Sequence, residues 1–226
     1  VALGADPGAT RWEVDRPRRA SWCSPIGVRY QRDGETIAAA VLQSGGRVDI
    51  HRADNGEKLW GAEIECESTS SPVFDGRLFL PAGGLLAFQL QDENGAPQNI
   101  WRETRARSTS ASPVIYRDKA YVVSRGGVLA CQPIEGPGAW KLRLGGQFWA
   151  TPVAAGDYLY CINQDGKAFV VELGEKGRVA AESEFDAEVL GSPAVSGDAL
   201  FVRSHGKLWK IASAEQVARG PERDRT

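Results

Sequence analysis

Three features of the sequence predict an all-β fold assembled from repeated four-stranded antiparallel units. A Ser/Thr-Pro pair recurs five times, a tryptophan keeps a nearly fixed distance ahead of it, and glycine-tipped turns stay in phase with both. The pairs are Ser24-Pro25, Ser71-Pro72, Ser112-Pro113, Thr151-Pro152 and Ser192-Pro193, with their prolines 47, 41, 39 and 41 residues apart. Trp12, Trp60, Trp101 and Trp140 precede the first four prolines by 13, 12, 12 and 12 residues, and Ala181 holds the slot 12 residues before Pro193. Glycine stands four residues ahead of that slot at Gly8, Gly56, Gly136 and Gly177, whereas the Trp101 copy has Gly95 six residues ahead. A further glycine falls inside each period, at Gly46, Gly84, Gly127, Gly166 and Gly206.

Each anchor has a physical role, taken in chain order through one period. Proline lacks the N–H a sheet ladder needs, so it belongs at the start of a strand. Short apolar stretches follow it, such as Pro72-Val73-Phe74 and Pro193-Ala194-Val195, and read as the innermost strand. Polar turns come next (Asp75-Gly76, Gly156-Asp157, Gly197-Asp198), then β-rich runs at 78–80, 120–123 and 158–162. Tips such as Gln164-Asp165-Gly166 permit positive φ and reverse the chain into a third strand, as at 128–132 and 167–173. A second turn, clearest at Asp54-Asn55-Gly56, leads to the outer strand that carries the tryptophan. A large ring there fills the wedge between neighbouring units. Four strands in a period near forty residues is the signature of a β-propeller blade. About five blades are therefore expected over 1–212, followed by a charged tail at 213–226, with 212–218 the only stretch hinting at a helical period.

Composition narrows the function classes. The 226 residues carry a formal charge of −2 with 25% charged residues, which gives no reason to expect nucleic acid or an anionic membrane as partner. The longest aliphatic run, 37–42, is far too short to cross a bilayer, so direct membrane insertion is not expected. The opening Val1-Ala2-Leu3-Gly4 reads as the inside of a strand-turn unit, and a processed product or an excerpt of a longer protein is expected. Cys23, Cys66, Cys131 and Cys161 follow no metal-ligand rhythm and read as small, partly buried apolar residues.

The run Ala53-Asp54-Asn55-Gly56-Glu57-Lys58-Leu59-Trp60, followed by Ser71-Pro72-Val73-Phe74-Asp75-Gly76, resembles the pyrroloquinoline-quinone-type repeat propellers. The chain is most similar to their non-catalytic bacterial members, the BamB-type outer-membrane assembly lipoproteins. That resemblance implies a ring of seven or eight blades, a periplasmic or otherwise extracytoplasmic location, a protein or peptide partner, and no cofactor. The chain departs from the pattern in holding five Ser/Thr-Pro units and in opening with the tail of an earlier repeat: 1–3 as third strand, 11–15 as outer strand. Either the Trp12 strand closes a five-blade ring against the last unit, or further blades belong to the ring. The surplus third strand favours the second arrangement.

The competing class is a quinoprotein oxidoreductase whose remaining active-site residues lie in other blades, with pyrroloquinoline quinone and calcium as cofactors. The family's catalytic members stack the quinone on a disulfide of adjacent cysteines, and no two cysteines are adjacent here. Sugar-oxidising relatives use a histidine base, but His51 reads as an ordinary strand position and His205 as a turn residue. No nucleophile elbow, phosphate loop, dinucleotide fingerprint or zinc-peptidase motif is present, and no metal ligand set is assigned. Asn163-Gln164-Asp165-Gly166 reads as a hairpin tip, and Glu63 and Glu65 as the solvated side of an outer strand.

The favoured expectation is a non-enzymatic scaffold. Strand direction alternates within a blade, so the connectors entering the inner strands share a face with the glycine-tipped hairpins. Along that face, basic Arg16-Pro17-Arg18-Arg19 alternates with Glu63, Glu65 and Glu67. Then come Arg102, Arg105 and Arg107 against Glu103, and finally Glu182, Glu184, Asp186 and Glu188. Arginine pairs carboxylates in bidentate fashion, so Arg18, Arg19, Arg105, Arg107 and Arg125 are the candidate contacts. Trp22 and Trp149, each three residues before its proline, either pack within this face or line it.

Overall fold

The computed structural model describes residues 1–16, 20–90, 96–136, 138 and 140–213, and these contain strands and turns with no helix. The first two strands, β1 (Ala2–Leu3) and β2 (Thr10–Trp12), pair only with each other. Four four-stranded antiparallel sheets follow, each ordered as in the chain. They are β3 (Ile26–Arg32), β4 (Glu35–Ser44), β5 (Arg47–Arg52) and β6 (Lys58–Ala62); then β7 (Val73–Asp75), β8 (Arg77–Pro81), β9 (Leu85–Gln89) and β10 (Gln98–Glu103). The third comprises β11 (Val114–Tyr116), β12 (Lys119–Val123), β13 (Val128–Pro133) and β14 (Lys141–Arg143); the fourth, β15 (Val153–Ala155), β16 (Tyr158–Ile162), β17 (Lys167–Glu172) and β18 (Arg178–Glu184). A fifth sheet has three strands: β19 (Ala194–Ser196), β20 (Ala199–Ser204) and β21 (Lys207–Ile211). The Trp12 strand pairs with β1 and not with β21. Apart from Ser213, the charged tail lies outside the described residues, as do Gly95, Arg18 and Arg19.

The sheets pack in series, which explains why their middle strands are apolar on both faces. On β8, Leu78 and Leu80 join Val41 and Ile50 of the preceding sheet in one core, while Phe79 between them joins Ala120 and Val122 of the next. On β12, Tyr121 and Val123 turn the other way, onto Leu159 and Cys161 of β16. Each fully buried leucine in these joints contributes roughly 1.5–3 kcal/mol. Innermost strands meet in the order β3, β7, β11, β15, β19, a propeller-like succession.

At the inner edge, one hydrogen bond repeats at every step. The N–H of Ser24 donates to Ser71 Oγ (2.9 Å), that of Ser71 to Ser112 Oγ (3.0 Å), that of Ser112 to Thr151 Oγ1 (2.8 Å) and that of Thr151 to Ser192 Oγ (3.0 Å). Each inner strand thus satisfies the backbone of the previous one just ahead of its own proline, which cannot donate. At the outer side, the tryptophans reach across the same joints. The indole N–H of Trp12 donates to the Ala53 carbonyl (2.9 Å), that of Trp101 to Ile134 (2.9 Å) and that of Trp140 to Gly174 (3.4 Å). Trp60 lies 6.0 Å from Phe88 of the next sheet. Gly56, at φ +77°, leaves room for this approach, since a Cβ there would meet the Trp12 ring at 2.8 Å.

The joint between the opening strand pair and the next sheet also holds a charge cluster. Asp49, with its side chain 5% exposed, is held by Arg47 (2.9 Å), Lys58 (3.0 Å) and Arg16 (3.5 Å). Burial works against its charged form, but hydrogen bonds from Lys58 and Arg47 and the charge of Arg16 outweigh it and hold the Asp49 pKa below the usual carboxylate range.

Two outcomes follow from these contacts. Ser112→Ala leaves the Ser71 N–H without its acceptor and should cost about 1–3 kcal/mol in urea unfolding, whereas Ser112→Thr, which keeps the hydroxyl, should unfold close to wild type. Asp49→Asn should cost about 1–3 kcal/mol at pH 7. Because the folded pKa is depressed, the carboxylate's contribution is present above its unfolded pKa and is lost as pH falls through the folded value. The gap between wild type and Asp49→Asn should therefore narrow in urea unfolding at low pH.

Candidate functional site

The connectors and the glycine-tipped hairpins are stitched into one face. Leu144 N–H donates to the Gly127 carbonyl (2.8 Å) and Phe148 N–H to Arg125 (3.1 Å), then Gln164 of the next hairpin donates to Gln147 (2.7 Å). One sheet later, Phe185 donates to Gly166 (2.9 Å), Val189 to Gln164 (3.1 Å) and His205 to Glu188 (3.0 Å). The close approach explains the hairpin glycines: a Cβ on Gly166, at φ +90°, would meet the Ala187 and Phe185 carbonyls at 2.7 and 2.8 Å.

In the connectors entering β15 and β19, an inward anchor is followed by an outward apolar residue. Phe148 and Val189 are fully buried, and their successors Trp149 and Leu190 are 37% and 50% exposed. Trp22 occupies the equivalent position, three residues before its proline, and is 72% exposed. Leu190 escaped notice in the sequence because it is not aromatic, although its distance to Pro193 equals that of Trp149 to Pro152. It lines a cavity of about 300 Å³ with Glu188, Arg203 and His205.

The candidate arginines divide into distinct environments. Arg125 lies over the Trp149 ring at 5.3 Å, a cation–π contact that fixes both side chains on this face. Arg107 donates to the Gly83 carbonyl (3.3 Å) and takes no carboxylate partner among the described residues. Arg105 is neutralised locally: it pairs with buried Glu103 at 3.0 Å, and its own N–H donates to the same carboxylate at 2.8 Å. Those hydrogen bonds, side chain first and backbone second, draw the Glu103 pKa down. The acidic group is similarly engaged, Glu182 with Lys167 (2.7 Å), Asp186 with Lys207, and Glu188 with Gln164 (2.7 Å).

The groups that would signal quinone chemistry sit elsewhere. Buried His51 is held by its Nδ1 contact to the Gly56 carbonyl at 2.9 Å and stacks 6.3 Å from Trp12. Cys131 and Cys161 are buried in one joint core, with free thiols. Among the described residues no three His, Cys, Asp or Glu side chains stand together as ligands for a metal ion.

Serial four-stranded sheets, the Ser/Thr ladder and the joint tryptophans define the class, a pyrroloquinoline-quinone-type repeat propeller. Residues 1–142 match the family described as outer membrane protein assembly factor BamB, and the chain belongs to that family. Among solved structures it is similar to BamB from Moraxella catarrhalis, with TM-score 0.66 and 16% identity over 90% of this chain. The chain spans 64% of that protein's length. It is also similar to the computationally designed Ika8 protein, with TM-score 0.58 and 14% identity over 81% of this chain and 57% of that one. No curated protein sequence matches it.

The thiols give a direct check on the joints. Burial pushes the Cys66 thiol up to about 12 and raises Cys131 and Cys161 as well, keeping all three protonated at pH 8. Ellman's reagent at pH 8 should titrate no thiol rapidly except half-buried Cys23 in native protein, and all four in denaturant.

Proposed function

We propose that this chain is a non-enzymatic docking scaffold of the bacterial envelope, engaging a protein or peptide of the outer-membrane assembly apparatus through its connector face. The observation that carries the reading is Trp149 exposed beneath Arg125, with Leu190 presented from the next connector on the same face. Exposed tryptophan and arginine without a carboxylate partner are the residue types on which interface energy concentrates. Membership of the assembly-factor family supports the extracytoplasmic setting and the kind of partner. Arg107 and Arg125 form the basic part of the site, with Arg18 and Arg19, in the sequence ahead of β3, as further proposed contacts; Arg105 contributes less because Glu103 already holds it.

We further propose that these sheets are consecutive blades of a ring of seven or eight. The inner-strand contacts end at β19, without a comparable return to β3, and the chain matches 64% of the Moraxella protein, which supports that arrangement.

The test uses Arg107→Glu/Arg125→Glu, because reversing Arg105 would place a second carboxylate beside buried Glu103. The double variant should lose co-purification with outer-membrane assembly proteins from bacterial envelope extracts while keeping the wild-type melting midpoint. Undiminished capture would overturn the assignment of the face. Titration with pyrroloquinoline quinone and calcium, followed by quenching of the seven tryptophans, should give no saturable change. Calcium-dependent saturation would instead establish the oxidoreductase reading.

A further inference from the structure

The joint between the fourth and fifth sheets differs from the joints before it. In the second sheet, Trp101 lies opposite Ala87, which lies opposite Phe79, and the Trp101 and Phe79 rings stand 5.9 Å apart. In the third, the Trp140 carbonyl accepts the N–H of Cys131, whose strand partner is Tyr121, and the rings are 6.1 Å apart. The fourth sheet repeats the row as Ala181 opposite Val170 opposite Tyr160. Its backbone is the same too. A register shift falls beside this position between Ile50 and His51, between Asn99 and Trp101, and between Val170 and Val171. Such a bulge aims the slot residue, so the fourth sheet keeps the socket of the indole and supplies a methyl group instead.

A cavity adjoins this row. About 300 Å³ lies between the sheets, walled by Tyr160, Val170, Phe185, Leu200, Trp209 and Ile211. It shares Tyr160, Leu200 and Ile211 with a wider opening of about 680 Å³. Ala181 itself is exposed, unlike Trp101 at the corresponding position, and it is its row partners Val170 and Tyr160 that line the cavity. Apolar cavities of this kind accept aromatic guests, because water finds few polar partners there.

We propose that this joint is a binding pocket for a planar aromatic small molecule of indole size. Tyr160 offers the ring that Phe79 and Tyr121 offer to their tryptophans, and Trp209, edge-on to Phe185 at 5.6 Å, closes the far wall. Leu200 and Ile211 supply the apolar floor from the fifth sheet.

The probe is 5-fluoroindole, followed by ¹⁹F line broadening on the full chain. Wild type should bind it saturably in the millimolar range, and Ala181→Trp, which fills the socket covalently, should abolish the binding and raise the melting midpoint by at least about 2 °C. In wild type with labelled alanine methyls, Ala181 and Ala168 should shift on titration while Ala130, in a joint already filled by Trp101, should not. The proposal is overturned if wild type shows no saturable broadening, if a folded Ala181→Trp protein binds as wild type does, or if Ala181 and Ala168 stay unmoved under saturation. The methyl measurement decides the matter should Ala181→Trp fail to fold.

Discussion

The backbone N–H just ahead of each of the first four repeat prolines depends on a hydroxyl supplied by the next sheet. This constraint organises the rest of the molecule. An N–H at the crowded inner edge of a blade cannot be left without an acceptor, and the proline that follows has no donor to continue a local ladder. A Ser or Thr side chain one period on resolves both problems with bonds of 2.8–3.0 Å. Because each hydroxyl both belongs to one unit and serves its predecessor, the units cannot drift in spacing or slip in register.

The outer tryptophans solve the complementary problem. Neighbouring sheets that meet closely at the inner strands diverge outward, and the gap must be filled by side chains bulky enough to span it. An indole does this with a single apolar body, and its N–H satisfies a turn carbonyl of the next sheet, as Trp12, Trp101 and Trp140 show. The glycines at 56 and 177 are part of the same device, since a Cβ at either would collide with the incoming ring of Trp12 or Trp140. Tryptophan in one unit and glycine in the next are therefore one contact written at two places in the chain.

That separation explains what the sequence made legible. Strand order and the blade unit were readable because proline, glycine and alternating apolar runs act over a few residues. The partner of each Ser and Trp was not, because those contacts join residues 33–47 apart and depend on how sheets are stacked. Charges on the connector face were legible as residue types but not as pairs. Arg105 and Arg107 look equivalent in the sequence, yet a buried Glu103 claims one and leaves the other without a carboxylate. Leu190 needed the repeat to be read by position and not by residue type.

The connector face inherits its rigidity from the ladder. Trp149 is two residues from Thr151, whose hydroxyl accepts from Ser112 and whose N–H donates to Ser192, so its connector is tied to both neighbouring sheets. Phe148, buried beneath, fixes the direction in which Trp149 points, and Arg125 covers one face of the ring. A surface held this way loses little conformational freedom when a partner arrives, so more of the contact energy is available for binding. The residues three positions before the prolines can thus vary among Trp, Thr, Ser and Leu without disturbing the fold, because the hydroxyl and the proline carry the architecture. The architectural residues and the position proposed for recognition are adjacent in the same connector, which lets the repeat keep one fold while its exposed position changes from unit to unit.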